Sequence, residues 1–242
     1  MKMTPVSDII NRAAVEVGLN AVVDPMGSND ENFVQLRFLL NSAGQEIAEY
    51  KPWQGLMREF SLETKAGDTG NYSLPNDFLY MIDQTGWQLD KSAPVGGPLS
   101  AQTWSYLDGS GTGRANTHIS FRIHDNTLQL FPQPPAAGIS LKFQYMSRNW
   151  LRSAADPLIT YDAAQNNADQ SLLDGLLLIK FLKVKFLDAK GIDSSSQRLE
   201  FENLLQARMG HDTGAPVLAI GSTNRSWELD SRRNVPDTNY GR

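Results

Sequence analysis

The pattern of apolar residues predicts an α+β fold. A repeat of about 3.6 residues runs through both ends of the chain, and two-residue alternation runs between them. Two amphipathic helices precede the alternating region and two follow it. Each is too short and too one-sided to stand alone. The expected architecture is therefore a four-helix bundle formed by the N- and C-terminal helix pairs, with an inserted antiparallel β-sandwich or barrel domain and an extended C-terminal arm. The expected division is residues 1–56 for the first half of the bundle, 57–150 for the β domain, 151–210 for the second half of the bundle and 211–242 for the arm.

The first helix should start with Thr4 as N-cap and Pro5 in the first turn, where a missing N–H costs nothing. Val6, Ile9, Ile10, Ala13, Ala14 and Val17 give its buried stripe, and Gly18 stops it. Ser28 and Glu31 have capping-box spacing for the second helix. Phe33, Leu36, Leu40, Ala43, Ile47 and Ala48 form its stripe, and Pro52 ends it. The period then becomes two. Strands are expected over residues 58–64, at Tyr72 and Leu74, and over 78–82, 87–89, 118–123, 127–131 and 139–146, with turns at Asp125-Asn126 and residues 132–138. Trp104 and Tyr106 start a further strand or pack a long loop, and residues 108–113 form a glycine-rich excursion.

After a linker over residues 150–160, a long helix is expected over 169–189. Its apolar residues, including Leu172, Leu173, Leu176, Leu177, Ile179, Leu182 and Phe186, occupy nearly every face. Such a helix is central in a bundle or is covered on a second side by another subunit. Leu173, Leu176, Leu177 and Phe186 are therefore candidates for bundle or inter-subunit packing. A last helix, with Ser194 and Gln197 in capping-box spacing, carries Phe201, Leu204, Leu205 and Met209 on one face. Residues 211–242 show no sustained period, yet hold Val217, Leu218, Ile220, Trp227 and Tyr240. A polar tail needs no such residues, so the segment reads as an arm that orders on a neighbour and uses them as anchors.

Composition excludes several classes. Hydrophobic residues are 40% and charged residues 20% of the 242, which is globular composition. A net charge of −5 argues against gripping nucleic-acid phosphates, although a wall past which DNA slides tolerates it. With no cysteine, disulfides, thiolate catalysis and thiolate metal sites are out, and a reducing compartment fits. The opening residues lack the apolar run of a signal peptide, and the apolar stretch 172–187 is broken by Asp174, Lys180, Lys183 and Lys185, so no membrane association is expected.

Catalytic patterns are missing as well. His118 and His124 lie near Asp125 but lack a third ligand at suggestive spacing, and His211 follows the last apolar stripe. No nucleophile elbow, phosphate loop or dinucleotide fingerprint is present. Asp77, Asp83, Asp90 and Asp125 are no more than a β region of this size carries by chance. No cofactor, metal site or catalytic residue is expected. Lys180, Lys183 and Lys185 either face solvent or bridge to a neighbouring subunit.

Two amphipathic helices ending in Ile47-Ala48-Glu49-Tyr50-Lys51-Pro52-Trp53 are followed by Tyr72-Ser73-Leu74-Pro75-Asn76-Asp77-Phe78. Next come Leu128-Gln129-Leu130-Phe131-Pro132-Gln133-Pro134 and Leu141-Lys142-Phe143-Gln144-Tyr145-Met146-Ser147. In this order the segments resemble the head-to-tail adaptors of short-tailed bacteriophages, the head-completion or tail tubular A proteins, over residues 5–210. The resemblance implies a structural subunit at the head-tail junction of a virion. Such adaptors form a ring, usually of twelve copies, between the portal and the tail nozzle. Double-stranded DNA passes through the ring without specific binding. The C-terminal segment grips the portal, and the β domain faces outward or toward the nozzle and the tail fibres or spikes. Three rival readings stay open at this point. One is another tail or connector ring protein. Another is a receptor- or glycan-binding β module, which needs Trp87, Trp104 and Tyr106 exposed on one face. The last is a hydrolase, which needs a pair of acids in a cleft.

Overall fold

The computed structural model describes residues 3–110, 119–133 and 135–213. Strand β1 (Thr4–Pro5) leads into helix α1 (Val6–Glu16), and α2 (Glu31–Tyr50) follows a long loop. A single 3-10 turn, Gln54–Leu56, leads to β2 (Met57–Glu63), β3 (Asn71–Ser73), β4 (Phe78–Met81), β5 (Trp87–Gln88), β6 (Ala93–Pro94), α3 (Ala101–Ser110), β7 (Ser120–His124), β8 (Thr127–Phe131) and β9 (Ser140–Ser147). Then come β10 (Leu151–Arg152), β11 (Thr160–Tyr161), β12 (Gln170–Ser171), α4 (Gly175–Ala189) and α5 (Ser195–Thr213).

Helices α1, α2 and α5 all pack on α4. The buried stripes are those the periodicity predicts: Val6, Ile9, Ile10, Ala13 and Ala14 on α1, and Phe33, Leu36, Leu40, Ala43, Ile47 and Ala48 on α2. On α4 the buried set is Leu177, Leu178, Ile179, Leu182, Val184 and Phe186, more than one face. Phe201 of α5 stacks on Phe181 of α4 with ring centroids 4.4 Å apart. Helix α4 ends where Gly191 takes φ +70°, a backbone that side chains disfavour, and the Ile192 N–H then closes on the Leu187 carbonyl at 3.0 Å.

The helix starts differ from expectation. Thr4 and Pro5 form a strand on β12, and the Val6 N–H donates to the Asp169 carbonyl at 2.8 Å, so Thr4 does not cap α1. Asp30, not Ser28, caps α2, accepting from the Asn32 N–H at 2.8 Å. Ser194 does not form a capping box, because its hydroxyl bonds the Asp188 carboxylate. Helix α4 begins at Gly175 rather than near residue 169. The Asp169 carboxylate holds the backbone N–H groups of Gln165 and Asn166, and the Ser171 hydroxyl is engaged with Leu173. These side-chain bonds favour extended backbone over helix. Residues 150–160, expected as a linker, carry β10 and border β11. Those two strands join β1 and β12 in a small antiparallel sheet ordered β1-β12-β10-β11.

The β region lies between α2 and α4 in the chain. Strand β9 is its centre, paired over residues 140–146 with β2 on one edge, Met57 opposite Met146 and Glu63 opposite Ser140. Its other edge is shared by β4 and β5. A separate sheet has the order β3-β8-β7, and Asp125 and Asn126, both at positive φ, make the tight β7–β8 turn. Among the described residues the strands close into neither a barrel nor a sandwich, contrary to the expectation of one. They form open sheets that share an apolar cluster of Leu74, Phe78, Phe121, Leu128, Leu130, Leu141, Phe143 and Tyr145. The Trp104 segment is neither strand nor loop but helix α3, started by the Ser100 hydroxyl, which accepts the Thr103 N–H at 3.1 Å.

The two cores meet on β9. Successive residues of a strand face opposite ways, and Tyr145 joins the β cluster while Met146 joins the helical one. Just beyond, fully buried Trp150 lies against Gly44 in the middle of α2, where a Cβ would overlap the indole. Gly44→Ala is therefore expected to lower stability by about 2 kcal/mol or more, as overpacking a rigid contact does. Urea unfolding checks this, and a variant as stable as the parent would refute the close-packing account.

Candidate functional site

Among the described residues no group of three or more His, Asp and Glu side chains could hold a metal. His124 ends β7 beside the turn, His211 lies within α5, and His118 lies outside the described residues. Asp77 accepts the Tyr145 hydroxyl at 3.0 Å, and Asp90 accepts the Gln88 side-chain amide at 2.8 Å. Trp104 is buried, edge-on to Phe131 at 5.8 Å and with the Arg122 guanidinium 4.2 Å from its centroid, while Trp87 and Tyr106 are exposed. The three aromatics therefore do not make one exposed face.

Among the described residues the surface carries several open clefts, two of them bordering the β region. One, of about 750 Å³, is polar and lined by Arg58, Asn76, Asp77, Arg148, Asn149 and Tyr161 among others. Its floor is braced by the Arg148 guanidinium, which donates to the Phe78 carbonyl at 2.9 Å. The other, of about 860 Å³, is more apolar, with Met81, Trp87, Leu89, Val95, Phe121 and Phe143 in its wall. Neither gathers a nucleophile with a base. No helix among the described residues is long and apolar enough to cross a membrane.

The lysines of α4 act inside the chain. Lys180 lies 3.3 Å from both Glu16 and Glu200, Lys183 lies 3.4 Å from Glu16, and Lys185 lies 2.7 Å from Glu46. They tie α4 to α1, α5 and α2 at the rim of the core. Each such partly exposed pair contributes at most about 1 kcal/mol, but together they fix the rotation of α4. Leu173, Leu177 and Phe186 are buried within this one chain, while Leu176 is 36% exposed. Val217, Leu218, Ile220, Trp227 and Tyr240 lie outside the described residues.

What the described residues present is thus a packed helical core, a β region with open clefts and no group of metal-ligating side chains. The family model described as SU10 adaptor protein matches residues 4–224. The chain belongs to the SU10 adaptor protein family. No curated protein matches it. The match runs through the helical core and the β region alike, so the whole described body is adaptor. The adaptor is a structural, non-catalytic connector of the bacteriophage head-tail junction, acting between portal and tail. Three features of this adaptor escape sequence reading: the Trp150–Gly44 contact, the polar cleft and the helix carrying Trp104. Only the last had a local signal, Ser100 three residues before Thr103.

Among the described residues of the adaptor's β region three tyrosines hold their protons more tightly than usual, Tyr80 through burial alone and Tyr72 and Tyr145 more strongly. Burial, reinforced by the charge of Asp77, pushes the Tyr145 phenol up to about 12. Burial, then the bond to Asp68, pushes Tyr72 up to about 12. A phenol that holds its proton more tightly when folded contributes stability that is complete below its ordinary value of 10 and is lost as pH rises through the folded value. The urea midpoint is expected to fall between pH 10 and about 12. Tyr145→Phe should flatten that fall. An identical pH profile in the variant would contradict the assignment.

Proposed function

We propose that the chain assembles into a closed ring, of twelve copies, that sits between the portal and the tail nozzle and extends the DNA channel. The helical core forms the body of the ring. Residues 211–242 act as the portal-docking arm, anchored by Val217, Leu218, Ile220, Trp227 and Tyr240. The β-region loops face the nozzle and the fibres or spikes around it. DNA passes without specific binding, for which a net charge of −5 suits a wall that must not grip phosphates. Subunits made in the host cytoplasm assemble at the head-tail junction.

The observation that carries this reading is the adaptor-family match across residues 4–224, which extends past the end of α5. Two further features support it. Two apolar clusters, one mainly of helix residues and one of β residues, support a body of two parts, for which we propose the segments 1–56, 57–150, 151–210 and 211–242. Leu176, an exposed leucine on the largely buried α4, suits inter-subunit packing while Leu173, Leu177 and Phe186 hold the bundle. In a ring each subunit buries one patch against a different patch of its neighbour, and a single exposed leucine on a rigid helix can serve such a contact.

The arm is tested by a chain ending at Thr213. It should fold with an unchanged urea midpoint, because the apolar clusters of the described residues are built from residues before Thr213. Its binding to purified portal rings, followed by co-sedimentation, should fall by about a hundredfold, the scale of avidity lost with a tethered contact. Undiminished portal binding by the shortened chain would remove the docking role from the arm.

A further inference from the structure

Lys51 is the residue after α2, and its side chain is only 8% exposed. A lysine so hidden is costly unless its ammonium is well partnered. Its Nζ donates to the Met209 carbonyl at 3.0 Å, lies 3.2 Å from Asp212 Oδ2 and sits 4.6 Å from the centroid of the Trp53 ring. Asp212 Oδ2 also accepts the Gln54 N–H at 3.1 Å. Trp53 is held in turn by its indole N–H, which donates to the Ile47 carbonyl at 2.6 Å. Two of these partners, Met209 and Asp212, belong to the C-terminal end of α5, where a cation meets the negative end of the helix dipole.

The cluster joins the exit of α2 to the last turns of a helix that begins far along the chain. The fully buried apolar residues of α5, Phe201 and Leu205, lie earlier in the helix, while nearer its end Met209 is partly buried against the core and Arg208 lies 3.2 Å from Asp174. Beyond these contacts, the buried cation holds the last turn of the helix, the point from which residues 214–242 continue.

We propose that Lys51, through Asp212 and the Met209 carbonyl, is a positioning residue that fixes the end of α5 and so sets where the C-terminal segment starts toward its partner in the virion. The partner half of this statement rests on the reading that residues 211–242 dock on the portal. A tether with a fixed root presents its anchors at a higher effective concentration than one with a loose root. Losing the clamp therefore weakens docking without removing any docking residue.

The chain has no cysteine, so introduced pairs accept spin labels at chosen positions only. In the full chain, Gln45→Cys on α2 is paired with Gly210→Cys near the end of α5, or with Gln206→Cys one turn earlier; all three positions are exposed. Lys51→Met should roughly double the width of the distance distribution to position 210 and leave that to 206 unchanged, as release of a helix end does. Lys51→Arg, which keeps the cation, should restore the narrow distribution. Binding to portal rings should weaken about tenfold in Lys51→Met and not in Lys51→Arg. No broadening at 210, or equal broadening at 206, overturns the clamp. Broadening at 210 with unchanged portal binding, in a protein whose truncation at Thr213 does weaken binding, overturns its role in docking. Truncation without effect would sink the portal-docking reading instead, and the distance measurement would still decide the clamp.

Discussion

The contact between Trp150 and Gly44 sets the geometry of everything around it. The indole fills space that a side chain on α2 would occupy, so α2 and the segment leaving β9 approach as closely as backbone allows. The indole N–H donates to the Asp162 carbonyl at 2.8 Å, and the Trp150 carbonyl accepts the Leu172 N–H at 2.9 Å. One residue thereby registers α2, the small four-stranded sheet and the lead into α4. The β region enters and leaves the helical core on paired strands, β2 and β9, so its position depends on the same anchor.

Helix α4 answers the matching problem on the helical side. A helix that is apolar on more than one face needs cover on each, and α1, α2 and α5 supply it within one chain. Its lysines then sit where the covering helices leave gaps, each with a glutamate from the helix beside it. For a subunit of a virion connector this has a mechanical consequence. The described core is closed within one chain, which leaves contacts with other proteins to residues outside it, as the proposed arm requires. A rigid body with separate docking elements suits a protein that must hold two larger structures in register.

How much of this was legible follows from the residues. The stripes of α1 and α2 were readable because their small and large apolar residues recur at helical spacing on one face. The start of α4 was not, since a segment apolar all round gives no phase and no sign that Gln170 and Ser171 are strand. Two-residue strands such as β10 and β11 carry no periodicity at all. Helix α3 was misjudged because Trp104 and Tyr106 favour strands, while the short signal at Ser100 points the other way. Burial of Lys51 could not be read from its neighbours, because it depends on Asp212, brought to it only by the completed bundle. The adaptor family was legible from the order of four short motifs, none of which identifies it alone.

The central claim is that this chain is a ring-forming connector between portal and tail. Electron cryomicroscopy of the full chain mixed with portal rings from the same virus tests it most directly. The account predicts a closed ring on one portal face, its wall built of α1, α2, α4 and α5, with density for residues 214–242 running onto the portal. A chain that stays monomeric beside bare portal rings at saturating concentration would contradict it.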